Sequence, residues 1–219
     1  MYQPAHGRFV VDDPAAVLAE LSAFAPATLV THHAGGFWTT VLPMLFYSQE
    51  GESGVLRAHL ARGNPQWRDL AEGGAAVAIW ARPDAYVSPS WYEEKRLTGK
   101  VVPTWNYTAV AAHGTLTTRT EPEWLVAHVR RLVERHEAGR DQPWSIDDAP
   151  AGYVETQARA IVGLELRIER IEAKRKLSQN RSVEDIEGVI NALAGSDSPE
   201  ERAVAGQMEL YSRPAAEER

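Results

Sequence analysis

The chain has 219 residues, 44% of them hydrophobic and none of them cysteine, so it holds apolar material for a core but no disulfide, thiolate nucleophile, Cys-ligated zinc or iron–sulfur cluster. Acidic residues outnumber basic ones by 30 to 23, and the formal charge of −7 argues against direct nucleic-acid binding, where phosphate neutralisation dominates affinity. No stretch approaches the roughly 18–20 apolar residues of a membrane helix, and Met1–Gly7 lacks a signal-peptide pattern, so a cytoplasmic protein with no membrane partner is expected.

Asp13 as cap and Pro14 at the first helical position open a helix through Val17, Leu18, Leu21 and Phe24, which Pro26 stops. Three strand-like runs follow. Residues 27–33 lead into a Gly35-Gly36 turn, 37–47 form a long run with Pro43 marking an edge or bulge, and 55–60 alternate. A short helix is expected from Asn64-Pro65 to Gly73-Gly74, then a buried strand over 75–81. Residues 82–100, rich in Pro, Ser, Gly and Tyr, read as an excursion, and 104–119 resume strand character. An amphipathic helix covers 122–137, and a short helix is expected near 153–159. Val162, Leu164, Leu166 and Ile168 then alternate with polar neighbours in a half-buried strand. Ser182 and Ser198 open two capped helices, and the tail after Arg213 is expected to fray. Helix, hairpin-linked strands and late helices make an α+β protein with a mainly antiparallel sheet, closed or nearly closed into a barrel.

Four segments could carry chemistry. Residues 59–67, His-Leu-Ala-Arg-Gly-Asn-Pro-Gln-Trp, run from strand through turn to helix start. That is a place for an anion, with Arg62 suited to phosphate, or simply a capped helix beside an exposed cation. Thr39–Pro43 is either a strand edge able to bond the polar rim of a flat heterocycle or an ordinary core strand. Residues 86–107 carry Trp/Tyr knots that line a planar pocket or interface, or else a satellite core under a long loop. The only basic cluster, 174–181, sets Lys174, Arg175, Lys176 and Arg181 beside Gln179 and Asn180. It suits flavin phosphate, an acidic substrate or a DNA backbone, or is a solvated loop. His32 and His33, adjacent on a strand, face opposite sides, and no histidine spacing matches a zinc motif, so no metal is expected. No nucleophile elbow for a hydrolase is present.

Taken together, Met1-Tyr2 with Pro4, HLARGNPQW at 59–67, YVSPSWY at 86–92, VPTWNY at 102–107, AIVGLEL at 160–166 and KLSQNR at 176–181 resemble the PaiB-type family of FMN-binding transcriptional regulators. The resemblance implies a split β-barrel of the pyridoxamine-phosphate-oxidase-like type with peripheral helices. It implies a domain over 1–195, a C-terminal helix and tail over 196–219, and a homodimer with FMN at the subunit interface. Mapped by matching positions, it puts Thr40, Val41 and Leu42 against the ring system and His59, Leu60, Ala61, Arg62 and Asn64 around the phosphate. Trp105, Asn106, Lys176, Gln179, Asn180 and Arg181 would close the site, the partner chain supplying Trp105 and Asn106 and some of the other four. A regulatory effect need not involve DNA contact, since no helix-turn-helix is evident. Two other classes fit the same residues: a flavin-dependent oxidoreductase or flavin reductase drawing on a reduced nicotinamide or other small redox partner, and a dimeric interaction module without flavin.

Overall fold

The computed structural model describes residues 1–2, 9–70 and 73–212. Pro4 of the N-terminal motif and the tail expected to fray lie outside the described residues. The elements run α1 (Pro14–Phe24), β1 (Ala27–His33), β2 (Gly36–Leu42), β3 (Leu45–Tyr47), β4 (Val55–Ala61), β5 (Gly74–Val87), α2 (Glu93–Leu97), β6 (Thr104–Arg119), α3 (Pro122–Glu137), α4 (Tyr153–Ala158), β7 (Ile161–Lys176), α5 (Val183–Ala194) and α6 (Pro199–Tyr211), with short 3-10 turns at Pro65–Leu70, Pro89–Trp91 and Ile146–Asp148. The strand order in the sheet is β2-β1-β5-β6-β7-β4-β3, and the β1–β2, β1–β5, β3–β4 and β4–β7 ladders are antiparallel.

The chain divides into two compact units, one formed by residues 15–80 and 111–171, the other by 1–14, 81–110 and residues from 172 onward. In the first unit a two-residue turn joins β1 to β2, with Gly36 at φ +130°, a conformation side chains with a Cβ avoid. Their ladder runs from Ala27↔Leu42 to His33↔Gly36. Pro43, lacking an amide hydrogen, ends β2, so the expected 37–47 run becomes two strands instead of one bulged strand. Strand β4 pairs with β7 from Val55↔Arg167 to Ala61↔Ile161. Two bare glycines set the packing here. A Cβ on Gly114 would lie 1.9 Å from the Arg167 carbonyl oxygen, and one on Gly163 would lie 2.2 Å from the Trp124 ring. Helix α3 therefore settles onto β7 through an indole that only glycine admits.

In the second unit Ala85, Val87, Tyr92, Leu177, Ile186, Val189, Ile190, Leu193, Val204, Ala205 and Met208 form one buried cluster, with Trp91 and Val101 against it. The cluster draws on β5, α5 and α6 alike. Ser182 and Ser198 cap α5 and α6 by accepting from the amides of Asp185 and Glu201. Buried polar pairs place α6 on β6: the Thr108 hydroxyl donates to Gln207, and the Asn106 amide donates to Met208 Sδ at 3.3 Å. Two expectations change. Strand β5 continues to Val87 through Pro83, so the excursion begins later than Arg82. Strand β7 extends to Lys176, so Lys174, Arg175 and Lys176 belong to a strand and not to a loop.

Candidate functional site

Strand β2 stands at the end of the sheet order, and its side chains alternate. Phe37, Thr39 and Val41 are exposed, Trp38 and Thr40 are half-buried, and Leu42 is buried. In register, His32 lies opposite Phe37, Val30 lies opposite Thr39 and Val77, and Thr28 lies opposite Val41 and Ile79. Directly opposed residues share a face. One side of this three-strand segment is therefore an apolar, β-branched surface that keeps Phe37 at 70% and Val41 at 66% exposure.

The other side of β2 is tied to the turn after β4. Asn64 Oδ1 accepts from the Gln66 amide at 3.0 Å, and Asn64 Nδ2 donates to Thr40 Oγ1 at 3.0 Å. Thr40 Oγ1 donates to Gln66 Oε1 at 2.6 Å, and Gln66 Nε2 donates to Thr31 Oγ1 at 3.0 Å. Gln66 and Thr31 are buried. Thr40 and Asn64, two expected site residues, are thus hydrogen-bonded to each other, although 24 positions separate them.

Arg62 is not the free surface cation of the plainer reading. Its Nε donates to the Arg159 carbonyl at 2.8 Å, its Nη2 to the Ile161 carbonyl at 3.0 Å, and its amide to Ala160 at 2.7 Å. Its own carbonyl accepts from the Trp67 indole at 3.0 Å. Gly63 leaves open space above the turn, Ala61 is exposed, and Leu60 is buried, so Leu60 offers a ligand only its backbone.

His59 turns toward α3. Its Nδ1 lies 3.2 Å from His128 Nε2, and the His128 ring stacks on Trp124 with centroids 5.3 Å apart. Burial pushes the His59 imidazole below its ordinary value. Burial first, then His59 and Arg57, hold His128 down to about 4. Both rings are thus neutral near pH 7, and one of the two facing nitrogens donates its N–H to the other.

The remaining expected residues lie in the second unit. Trp105 is 53% exposed and meets Tyr86 edge-on at 6.0 Å. Asn106 is fully buried and exchanges hydrogen bonds with the Ser178 hydroxyl at 3.0 and 3.1 Å. The Lys176 ammonium donates to the Thr104 hydroxyl and the Trp105 carbonyl, and burial, with Lys174 and Arg181 nearby, lowers its pKa. Gln179 is committed to its own turn: Nε2 donates to the Arg175 carbonyl at 2.6 Å and Oε1 accepts from the Leu177 amide at 2.7 Å. Asn180 is exposed, and the Arg181 guanidinium lies 4.4 Å above the Tyr92 ring. Lys174 is buried, with its ammonium 5.7–5.8 Å from the rings of Tyr2, Phe9 and Tyr107. Gln66, Thr31 and His128 are not among the site residues expected from the sequence, although Gln66 lies within the 59–67 motif. Gln66 sits two residues past Asn64, but nothing in the pattern marks its side chain as buried.

A sequence-family model described as "Putative FMN-binding domain" matches residues 1–170. The chain is 34% identical over 182 residues to "Protease synthase and sporulation protein PAI 2" of Bacillus subtilis, covering 83% of this chain and 84% of that one. Among solved structures, it resembles the FAD and heme binding protein from Mycobacterium smegmatis with a TM-score of 0.55 at 17% identity, covering 75% of this chain and 72% of that chain. The flavocytochrome Anf3 from Azotobacter vinelandii gives a TM-score of 0.53 at 13% identity, covering 80% and 72%. At such identities the likeness concerns the fold, a split β-barrel with an antiparallel sheet. With the family model matched over most of its length and the Bacillus relative aligned along both chains, the chain belongs to the PaiB-type FMN-binding family, and its cofactor is FMN.

Proposed function

We propose that the protein is a cytoplasmic homodimer that binds FMN between the edge strand β2 and the turn at Ala61–Asn64, and that any effect on transcription follows from the state of the cofactor, not from direct DNA contact. The observation that carries this reading is the hydrogen-bonded chain from Asn64 through Thr40 to Gln66, which joins a strand suited to a flat ring to a turn suited to a phosphate. The residues fit the group. Residues 40–42 offer backbone groups on a strand edge left unpaired among the described residues, Val41 offers apolar contact, and Gly63 leaves room for close backbone approach. Bound FMN supplies a redox centre.

Two observations bear on the partner. The exposed apolar face of β1, β2 and β5 is of a kind soluble proteins bury against another surface, and a second copy is the partner the family resemblance implies. Of the residues assigned to the partner side, Trp105 presents its ring to solvent and Asn180 and Arg181 retain accessible groups, whereas Asn106 and Gln179 act by holding the backbone beside them. Lys174, buried, and Lys176, half-buried, are bonded within the chain and do not form a solvated basic loop, which removes the main support for phosphate tracking along DNA.

The test is the absorbance spectrum of freshly purified protein, followed by titration with FMN and sedimentation with and without it. A flavin spectrum on a dimer is expected. A colourless protein that fails to bind added FMN would remove the reading, and a sequence-specific gel shift would overturn the indirect regulatory role.

A further inference from the structure

A backbone amide, which can only donate, fixes the polarity at the Asn64 end of the hydrogen-bonded chain that runs to Thr31. Gln66 N–H donates to Asn64 Oδ1, so the other end of that side chain is its NH2 group, which must donate to Thr40 Oγ1. The Thr40 hydroxyl accepts there and donates its own proton to Gln66 Oε1. That orients the Gln66 amide, whose NH2 then donates to Thr31. Each polar side chain of the relay thus has a partner, and the relay runs through Gln66, which is fully buried.

Two consequences follow. The Thr40 proton is used inward, so any ligand group taken by its hydroxyl must itself be a donor, such as an imide N–H or a sugar-alcohol hydroxyl. Strand β2 is also held independently, by its seven-residue ladder to β1, and the Ala61–Asn64 turn is referenced to β2 through this buried relay, while the Trp38 indole, donating to Asp69 at 3.0 Å, ties the strand to the far end of the 3-10 turn that follows. Resting on the FMN reading above, we infer that Gln66 is a positioning residue: it sets the distance between the ring-binding strand and the phosphate-binding turn, and so makes the site prefer the phosphorylated flavin. A ligand anchored at both ends is sensitive to that spacing, while one anchored only at its ring is not.

The experiment compares FMN and riboflavin binding, by quenching of flavin fluorescence, for the parent, Gln66→Met and Thr31→Val. Methionine keeps the length and burial of the side chain and removes its hydrogen bonds. Valine keeps the shape of Thr31 and removes the anchor of the Gln66 amide without touching the proposed site. Thermal unfolding is read in parallel. Gln66→Met should weaken FMN binding about tenfold while riboflavin binding changes less than about threefold, and Thr31→Val should move the ratio the same way by less. Should Gln66→Met fail to fold, Thr31→Val decides alone. Folded variants that keep the parent's FMN-to-riboflavin ratio overturn the inference and leave the FMN reading standing. A parent that binds neither flavin overturns both.

Discussion

Arg62 shows how one side chain can be drawn toward two roles. A guanidinium beside a glycine turn is suited to a phosphate, yet here two of its nitrogens bind the carbonyls of Arg159 and Ile161, where the chain enters β7. Charged donors to carbonyls are worth roughly 1.5–3 kcal/mol in favourable sites, and less where solvent competes. Arg62→Ala should therefore cost about 1–2 kcal/mol of stability as well as weakening FMN. Urea unfolding of the flavin-free protein measures the first effect alone. If the variant is as stable as the parent but binds FMN poorly, the guanidinium serves the cofactor and its carbonyl contacts are incidental. Arg62→Lys separates charge from shape, because an ammonium cannot span both carbonyls as a planar fork does.

At the scale of elements, α3 is docked by two aromatic contacts: Trp124 over the bare Gly163, and His128 against His59 of β4. In the folded protein His128 titrates at about 4, against 6.5 when exposed, because burial penalises its charged form. The unfolded chain therefore takes the proton first as pH falls. The stability tied to this neutral ring is complete above about pH 6.5 and is lost as pH falls toward about 4, on the order of 3 kcal/mol in all. His59 is displaced in the same direction and adds to it. Urea unfolding at pH 7.5 and 5 should show the loss, and His128→Gln should reduce it relative to the parent; an unchanged difference between the two pH values would dismiss the histidine as its source. A second docking point lies in the other unit, where a Cβ on Gly188 of α5 would stand 2.1 Å from the Trp91 carbonyl oxygen. Alanine raises helix propensity by about 1 kcal/mol. The clash is with backbone and should outweigh that, leaving Gly188→Ala less stable by about 1–3 kcal/mol. A stabilised variant would mean that the Trp91 segment yields freely.

At the scale of the whole molecule, order along the chain was easier to read than proximity. The hairpin turn, the alternation in β7 and the serine caps of α5 and α6 are local patterns, and the structure has them where the sequence placed them. A proline at 83 suits a break, yet β5 runs through it; the Lys174–Lys176 run reads as part of a basic loop, yet it continues β7 with Lys174 buried and Lys176 half-buried. Within the candidate site, Thr40 and Asn64 were legible as motif residues, but their partners Gln66 and Thr31 depend on contacts across the sheet that no spacing encodes. The same register that hides those contacts exposes another. It gathers Phe37, Val41, Val30, Val77 and Ile79 on one side of β1, β2 and β5, with Thr28 and Thr39 among them. An apolar surface of this kind favours association, and a charge placed at its middle would have to be buried unpaired. Val41 lies on that face and on the strand proposed to carry the flavin ring, so Val41→Asp should weaken the dimer at least tenfold and lower FMN affinity with it. Val77→Asp, on β5 and away from the expected flavin contacts, should weaken the dimer first and FMN only through it, so that added protein restores binding. Sedimentation across a concentration series, with flavin absorbance recorded at each point, follows both quantities together. A parent that stays monomeric at micromolar concentration, or a Val41→Asp variant as dimeric as the parent, would place the subunit contact elsewhere.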